Sequence, residues 1–144
     1  IAEIVLTLLG GACVMAIAPA IAIRRGEPRG RAATTLAALH PLVFLGLFYS
    51  LALHMHRSLG GWPEGLGTRG FPDGLVAHAD AAMTVFGSLV LGVFLALPAG
   101  LLLCGLVPRL RAGLRPLGVY AATSGLALGL MTLAPGPFLY WWWD

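Results

Sequence analysis

The sequence predicts an all-α integral membrane protein, a bundle of four transmembrane helices. The first observation is composition. Of the 144 residues, 58% are hydrophobic and 10% are charged, whereas soluble domains are usually about 45–50% apolar and about 25% charged. The second is that the chain holds four separate apolar runs, each near the roughly 20 residues that a helix needs to cross the hydrocarbon core. The third is that arginine is concentrated in two of the three connections between these runs.

The four apolar runs are predicted to be membrane-spanning helices, because backbone groups in lipid must find their hydrogen bonds within the segment. They cover residues 4–23, 33–54, 79–107 and 117–133. The whole chain, residues 1–144, is predicted to be a single transmembrane domain. A signal sequence is an alternative for the first run. However, its arginines follow the apolar stretch, whereas a signal peptide carries its basic residues first.

The connections predict the orientation of the bundle. RRGEPRGR (residues 24–31) and PRLRAGLRP (residues 108–116) are short and arginine-rich, so both should be cytoplasmic. The middle connection, residues 55–78, has two arginines balanced by two acidic residues and should face the outside. Both chain termini should then also lie outside.

The outer connection, residues 55–78, is predicted to be a loop, since its six glycines and two prolines favour turn conformations that a helix does not use. Long loops are often functional or disordered. This loop either lies passively on the membrane surface, caps the bundle or docks a partner. Its segment HRSLGGWP, followed by a glycine-rich stretch, a proline and His78, resembles an R-x-L-G-x-W-P signature of small bacterial four-helix inner-membrane proteins. The resemblance covers a short part of the chain. It implies a bacterial inner-membrane location and no particular activity.

Small residues recur at every fourth position and predict helix contact faces, because close backbone approach holds helices together in lipid. The stripes are Ala12, Ala16 and Ala20; Ser88, Gly92, Ala96 and Gly100; and Ala121, Gly125 and Gly129. One stripe is a candidate contact for another chain.

Each half of the sequence also consists of a helix, an arginine-rich turn and a returning helix. AIAPAIAI matches FLALPAGL, and RAATTLAAL matches YAATSGLAL. A parallel duplication of a helical hairpin is therefore a further hypothesis.

Three histidines are candidate cofactor ligands, since ionisable residues in a membrane are costly and suggest a function. His40 and His54 lie fourteen residues apart, about 21 Å along a helix and within about 40° of one face, which resembles the spacing of histidine pairs in haem-b helices. His78 lies at the same membrane face as His54 and is its candidate partner around a haem. A chlorophyll-type pigment on a single histidine is also open. The first and fourth spans contain no histidine to pair with His40.

A copper or zinc site is the second alternative for the histidines. His54, His56 and His78 fall at one membrane face, and imidazole suits both ions. His54 and His56 point about 200° apart along a helix, so they share an ion only if the helix ends at His54. The remaining interpretation is that these histidines contact water, lipid headgroups or a neighbouring chain.

The sequence favours a non-catalytic protein. The acidic residues lie at span ends or in loops, and no base neighbours the intramembrane hydroxyl groups. A net charge of +3 is too small to indicate nucleic-acid binding. We expect an accessory or structural subunit that contacts the bilayer and other membrane chains. Large aromatic side chains anchor both lipid and protein interfaces, and the predicted interface residues are Trp62, Phe71, Trp141, Trp142 and Trp143.

Overall fold

The computed structural model describes residues 28–63, 65 and 67–144. This part of the chain is all-helical, with no strand, so the predicted all-α class is confirmed. Its four helices are α1 (Pro28–Leu59), α2 (Asp73–Leu106), α3 (Leu114–Met131) and α4 (Gly136–Trp143). The first predicted span, residues 4–23, lies outside the described residues. So do its alanine stripe and the first helix of the hypothesised duplication.

Two helical stretches in the described chain are long and apolar enough to cross a membrane. They are Gly30–Leu59, with 30 residues, and Asp73–Leu106, with 34. The number of crossings rises to three if the helical segment Pro108–Met131 and α4 form one span, broken by a bend of 117°. Both stretches are longer than the roughly 20 residues that a helix needs to cross the hydrocarbon core of a membrane. Each is therefore long enough to extend beyond that core.

The loop between α1 and α2 is shorter than predicted, because both helices extend into it. α1 continues to Leu59 and is followed by Gly60, whose φ of 70° is the left-handed conformation that commonly terminates helices. α2 begins at Asp73, directly after Pro72, and an acidic side chain in the first turn favours a helix N-terminus. The loop therefore covers residues 60–72, and residues 55–59 and 73–78 are helical.

A π-helical segment, Gly92–Ala96, interrupts the regular winding of α2 shortly before Pro98. A proline inside a helix has no N–H to donate, and its ring clashes with the carbonyl four residues earlier. Single wider turns of this kind occur inside α-helices. Placed here, the wider turn accommodates Pro98 without ending the helix. Pro41 likewise lies inside a continuous α1.

α1 lies between α2 and α3 and packs against both. The last part of α2 meets the start of α3 across the 3₁₀ turn Pro108–Gly113. There a Cβ added at Gly100 would lie 3.0 Å from the Leu117 side chain, so a glycine permits the close approach. The thiol of Cys104 is buried and donates to the Leu110 carbonyl oxygen at 3.1 Å, which holds the turn against α2.

The short α4 folds back and inserts its aromatic side chains between α1 and α2. The Trp142 ring lies 5.0 Å from that of Phe48 on α1 and 5.5 Å from that of Phe86 on α2. From the sequence, Trp141, Trp142 and Trp143 are predicted to lie at an interface. The structure instead buries Trp141 and Trp142 in the chain's own core, 6% and 4% exposed, and leaves only Trp143 outside, 65% exposed. The reason is the 117° bend before α4, which directs these rings inward.

The small-residue stripes of α2 and α3 have different surroundings. On α2, Ser88 bonds to His40, and Gly92 is buried. On α3, the buried face consists of Tyr120, Ser124, Ala127 and Met131. The predicted contact residues Gly125 and Gly129 are exposed, with nothing within 4 Å of an added Cβ. Among the described residues, no other helix therefore approaches α3 closely at these two glycines.

Candidate functional site

Two polar clusters lie between α1 and α2, each built from histidine and serine. The loop-end cluster consists of Ser50, His54 and His78, and the mid-helix cluster of His40, Ser88 and Tyr120. Between them, α1 contributes Phe44 and Phe48 to the aromatic core. In each cluster, the ring nitrogens of histidine face hydroxyl or imidazole groups, although the helices around them are otherwise apolar. Buried polar groups need such hydrogen-bond partners.

In the loop-end cluster the two imidazoles contact each other directly. The Nδ1 atoms of His54 and His78 are 3.0 Å apart, and the rings are 5.3 Å apart with a tilt of 39°. Ser50 and His54 lie one helical turn apart on α1, so they present side chains to the same face. The Ser50 hydroxyl oxygen is 3.1 Å from His78 Nε2. All three side chains therefore meet at the end of the α1–α2 pair that adjoins the loop.

The hydrogen-bond network determines which nitrogens carry protons. The Ser50 hydroxyl donates to the Leu47 carbonyl oxygen at 3.0 Å. A hydroxyl has a single hydrogen, so in the arrangement where Ser50 donates to Leu47 it accepts from His78, whose Nε2 then carries the proton. A neutral His78 consequently has its lone pair on Nδ1, where it accepts the Nδ1–H of His54. These proton positions are assigned from the network of heavy atoms.

The mid-helix cluster follows the same arrangement and connects three helices. The Ser88 hydroxyl donates to the Val85 carbonyl oxygen at 2.8 Å and accepts from His40 Nε2 at 2.9 Å. Tyr120 of α3 stacks on His40, with ring centroids 5.9 Å apart, and its hydroxyl lies 3.4 Å from His40 Nδ1. The first and fourth predicted spans contain no histidine that could pair with His40. The structure pairs it with a serine and a tyrosine, which engage both of its ring nitrogens.

His56 lies apart from the other two histidines of the predicted metal site. Since α1 continues to Leu59, His56 points away from His54, and its ring packs edge-on against Trp62 at 4.7 Å. The condition for sharing an ion, a helix ending at His54, is therefore not met. Across residues 28–63, 65 and 67–144, no three His, Cys, Asp or Glu side chains are grouped to hold one metal ion.

The contact between His54 and His78 leaves no space for a haem between the two rings. A bis-histidine haem needs a planar macrocycle between two imidazoles. The rings of His54 and His78 are in direct contact, so they would have to separate to admit one. The structure brings together the two histidines that the sequence paired, at a distance that fits a hydrogen bond between their rings and leaves no room for a planar macrocycle.

The loop packs onto α4, a contact that the sequence analysis missed. Trp62 lies 6.2 Å from Phe138, and Phe71 lies 5.9 Å from Trp141. The indole N–H of Trp141 donates to the Gly67 carbonyl oxygen at 2.8 Å. Both predicted loop anchors, Trp62 and Phe71, are partly buried by the chain's own residues. The sequence does contain a signal for the start of α4. It is PGP before FLYWWW, since proline is common at the first positions of a helix.

Comparison with protein-family models finds no match, and neither curated proteins nor solved structures provide a similar chain.

Proposed function

We propose that the protein is a non-catalytic accessory subunit that docks a transmembrane helix of another membrane chain on α3. One observation carries the proposal, a continuous surface that we call the small-residue face. It consists of Gly118, Ala122, Gly125 and Gly129, all exposed. A Cβ added at any of its three glycines would meet nothing within 4 Å.

The spacing and chemistry of this face suit helix docking. Its members follow one another at intervals of four, three and four residues, so they form a single stripe along one side of α3. In lipid, helices associate through small residues that permit close backbone approach, because there is little hydrophobic drive between them. The buried side of α3 carries the larger Tyr120 and Met131. α3 therefore has one face packed against α1. Its other face carries small side chains, and no described residue packs on it at the three glycines.

Exposed aromatic side chains on α4 support the proposal independently. Tyr140 and Trp143 are 69% and 65% exposed, although the same helix buries Phe138, Trp141 and Trp142. Tyrosine and tryptophan combine a large apolar ring with a polar end, and they are enriched at protein interfaces and at membrane surfaces. The exposed face of α4 is therefore a second candidate contact for a partner chain, with Trp143 next to Phe86 of α2.

The proposal includes the finer membrane topology. The bundle has four spans in a bacterial inner membrane, with both termini on the periplasmic side. This rests on the four apolar runs, the arginine-rich connections and the resemblance of HRSLGGWP to small inner-membrane proteins. The first span has its own stripe at Ala12, Ala16 and Ala20, and it is the competing occupant of the small-residue face.

Site-specific photo-crosslinking in the native membrane separates the two occupants. A photoreactive amino acid at position 125 should form an adduct with a second chain. Position 46 is the matched control, since Gly46 is also an exposed helical glycine with nothing within 4 Å. Its exposed neighbours, Leu42, Val43 and Tyr49, are large. An adduct at 125 but not at 46 is the expected result. No adduct at 125, or one that maps to residues 4–23, contradicts the proposal.

A bulky substitution provides the second test. Gly125→Leu fills the small-residue face and should release the partner, whereas Gly46→Leu should not. Native mass measurement after extraction in mild detergent reports the assembled species. A wild-type chain recovered only as a monomer would overturn the accessory-subunit proposal, and so would a Gly125→Leu chain that keeps its partner.

A further inference from the structure

We propose that His54 and His78 bind one divalent transition-metal ion, Zn²⁺ or Cu²⁺, between their Nδ1 atoms. The site differs from the three-histidine site expected from the sequence, because His56 is excluded and Ser50 takes part indirectly. It lies on α1 and α2 and is independent of the docking face on α3.

The separation of the two nitrogens is close to that of a metal chelate. A zinc–imidazole bond is about 2.0–2.1 Å, and the usual geometry is tetrahedral. Two imidazole nitrogens on one ion are then about 3.3 Å apart. The Nδ1 atoms of His54 and His78 are 3.0 Å apart, so the ion is admitted when this distance increases by about 0.3 Å and each ring turns by about 35° to point at the ion.

Ser50 prepares His78 for this role. Metal-binding histidines almost always donate their second ring N–H to an oxygen, which sets the tautomer and the ring orientation. His78 makes such a bond through Nε2 to the Ser50 hydroxyl at 3.1 Å, and Ser50 is itself held by the Leu47 carbonyl. The His78 lone pair therefore already lies on Nδ1, directed at His54.

His54 can join the ion without a net loss of protons. In the metal-free chain its Nδ1–H donates to His78. When a metal ion replaces that hydrogen bond, the proton moves to His54 Nε2 by exchange with water, and both imidazoles remain neutral. Neutral imidazole is the form that binds metals. The exchange needs access to water, and both histidines are partly exposed at the end of the α1–α2 pair that adjoins the loop.

Two protein ligands leave open coordination positions. Water or a group from another molecule completes the shell, as at metal sites that retain exchangeable ligands. Imidazole suits both zinc and copper, and a given site usually binds Cu²⁺ more tightly than Zn²⁺. We therefore expect the ion to exchange readily and Cu²⁺ to bind more tightly than Zn²⁺.

The test is titration of the intact chain with Zn²⁺ alone and with Cu²⁺ alone. The protein is purified in detergent with an affinity tag free of histidine and treated with a chelator. Calorimetry should then give one ion per chain. His54→Gln and His78→Gln should lose binding, and Ser50→Ala should weaken it by about tenfold, as removal of an outer-shell partner does. His56→Gln is the matched control and should bind like the wild type, because its ring packs on Trp62.

A stability measurement checks that the ion binds to the folded state. Zn²⁺ in excess should raise the thermal unfolding midpoint of the wild type and His56→Gln, but not that of His78→Gln. Copper electron paramagnetic resonance of the wild type gives a readout that needs no variant, with splitting from two coordinated nitrogens expected. Unchanged affinity in His54→Gln or His78→Gln overturns the proposal, as do lost binding in His56→Gln and a copper spectrum without nitrogen splitting. None of these results bears on crosslinking at position 125.

Discussion

At the scale of single residues, serines explain how histidines are accommodated in apolar helices. Ser50 and Ser88 each donate to the carbonyl three residues earlier and accept an imidazole N–H. An unpaired polar group costs several kcal/mol in an apolar medium. The serine satisfies both its own hydroxyl and one ring nitrogen of the histidine. It also fixes the histidine tautomer, which decides whether the other nitrogen offers a lone pair.

Ser88→Ala tests this role in the mid-helix cluster. The change leaves His40 Nε2–H without its acceptor at 2.9 Å. Hydrogen bonds between membrane helices contribute about 0.6 kcal/mol on average and up to about 1.7, so we expect a loss of stability in that range. Unfolding in mixed micelles measures it. Ser58→Ala is the control, since Ser58 is exposed and has no hydrogen bond among the described residues. Equal effects of the two substitutions would show that Ser88 has no special role.

The sequence indicates which histidines are near each other but not how they meet. His54 and His78 lie at adjoining ends of two apolar runs, and this predicts their proximity. Their ring contact, and the parts played by Ser50 and Ser88, depend on how far each helix is rotated about its axis. The apolar pattern does not determine that rotation when nearly every position is apolar. The polar partners of His40 are therefore visible only in the structure.

At the scale of elements, hydropathy predicts helices at the positions of α1, α2 and α3 and misses α4. Residues 55–59 and 73–78 mix charged or polar residues and a glycine with apolar ones, which resembles a loop in composition, yet they continue the helices. The apolar segment FLYWWW is too short for a crossing, so its tryptophans are predicted to be interface residues and not part of a helix in the core. What changes that interpretation is the bend of 117°, which places the segment against Phe48 and Phe86 of the other helices.

Trp141→Phe tests whether α4 holds the loop in place. Phenylalanine keeps an aromatic ring but cannot donate to the Gly67 carbonyl oxygen. A hydrogen bond contributes about 0.5–1.5 kcal/mol, so local opening of the loop should rise by about two- to tenfold. Limited trypsin cleavage at the exposed Arg69 reports that opening. Trp143→Phe is the control, since Trp143 is 65% exposed. A Trp141→Phe chain cleaved no faster than Trp143→Phe would mean that the bond does not restrain the loop.

At the scale of the whole molecule, the bond between Trp141 and Gly67 constrains the topology. α1 and α2 form a hairpin whose connecting loop contains Gly67, and the 3₁₀ turn Pro108–Gly113 lies at the far end of α2. Because Trp141 bonds to Gly67, α4 lies at the loop end of the hairpin. α3 must then run from the turn back to the loop end. If α1 and α2 cross the membrane, α3 crosses it too, and α4 re-enters from the loop side.

Cysteine labelling with a membrane-impermeant maleimide tests this path. Cys13 and Cys104 are replaced with alanine, and single cysteines are introduced in place of Arg69, Arg111 or Gly136, which are all exposed. Positions 69 and 136 should be labelled in intact spheroplasts, because both lie at the loop end of the bundle, where the start of α4 contacts the loop. Position 111 should react only after permeabilisation, because it lies in the arginine-rich turn expected to be cytoplasmic. Labelling of 69 and 111 from the same side would mean that α2 does not cross. Labelling of 136 together with 111, opposite to 69, would mean that α3 does not cross and that α4 does not pack against the loop.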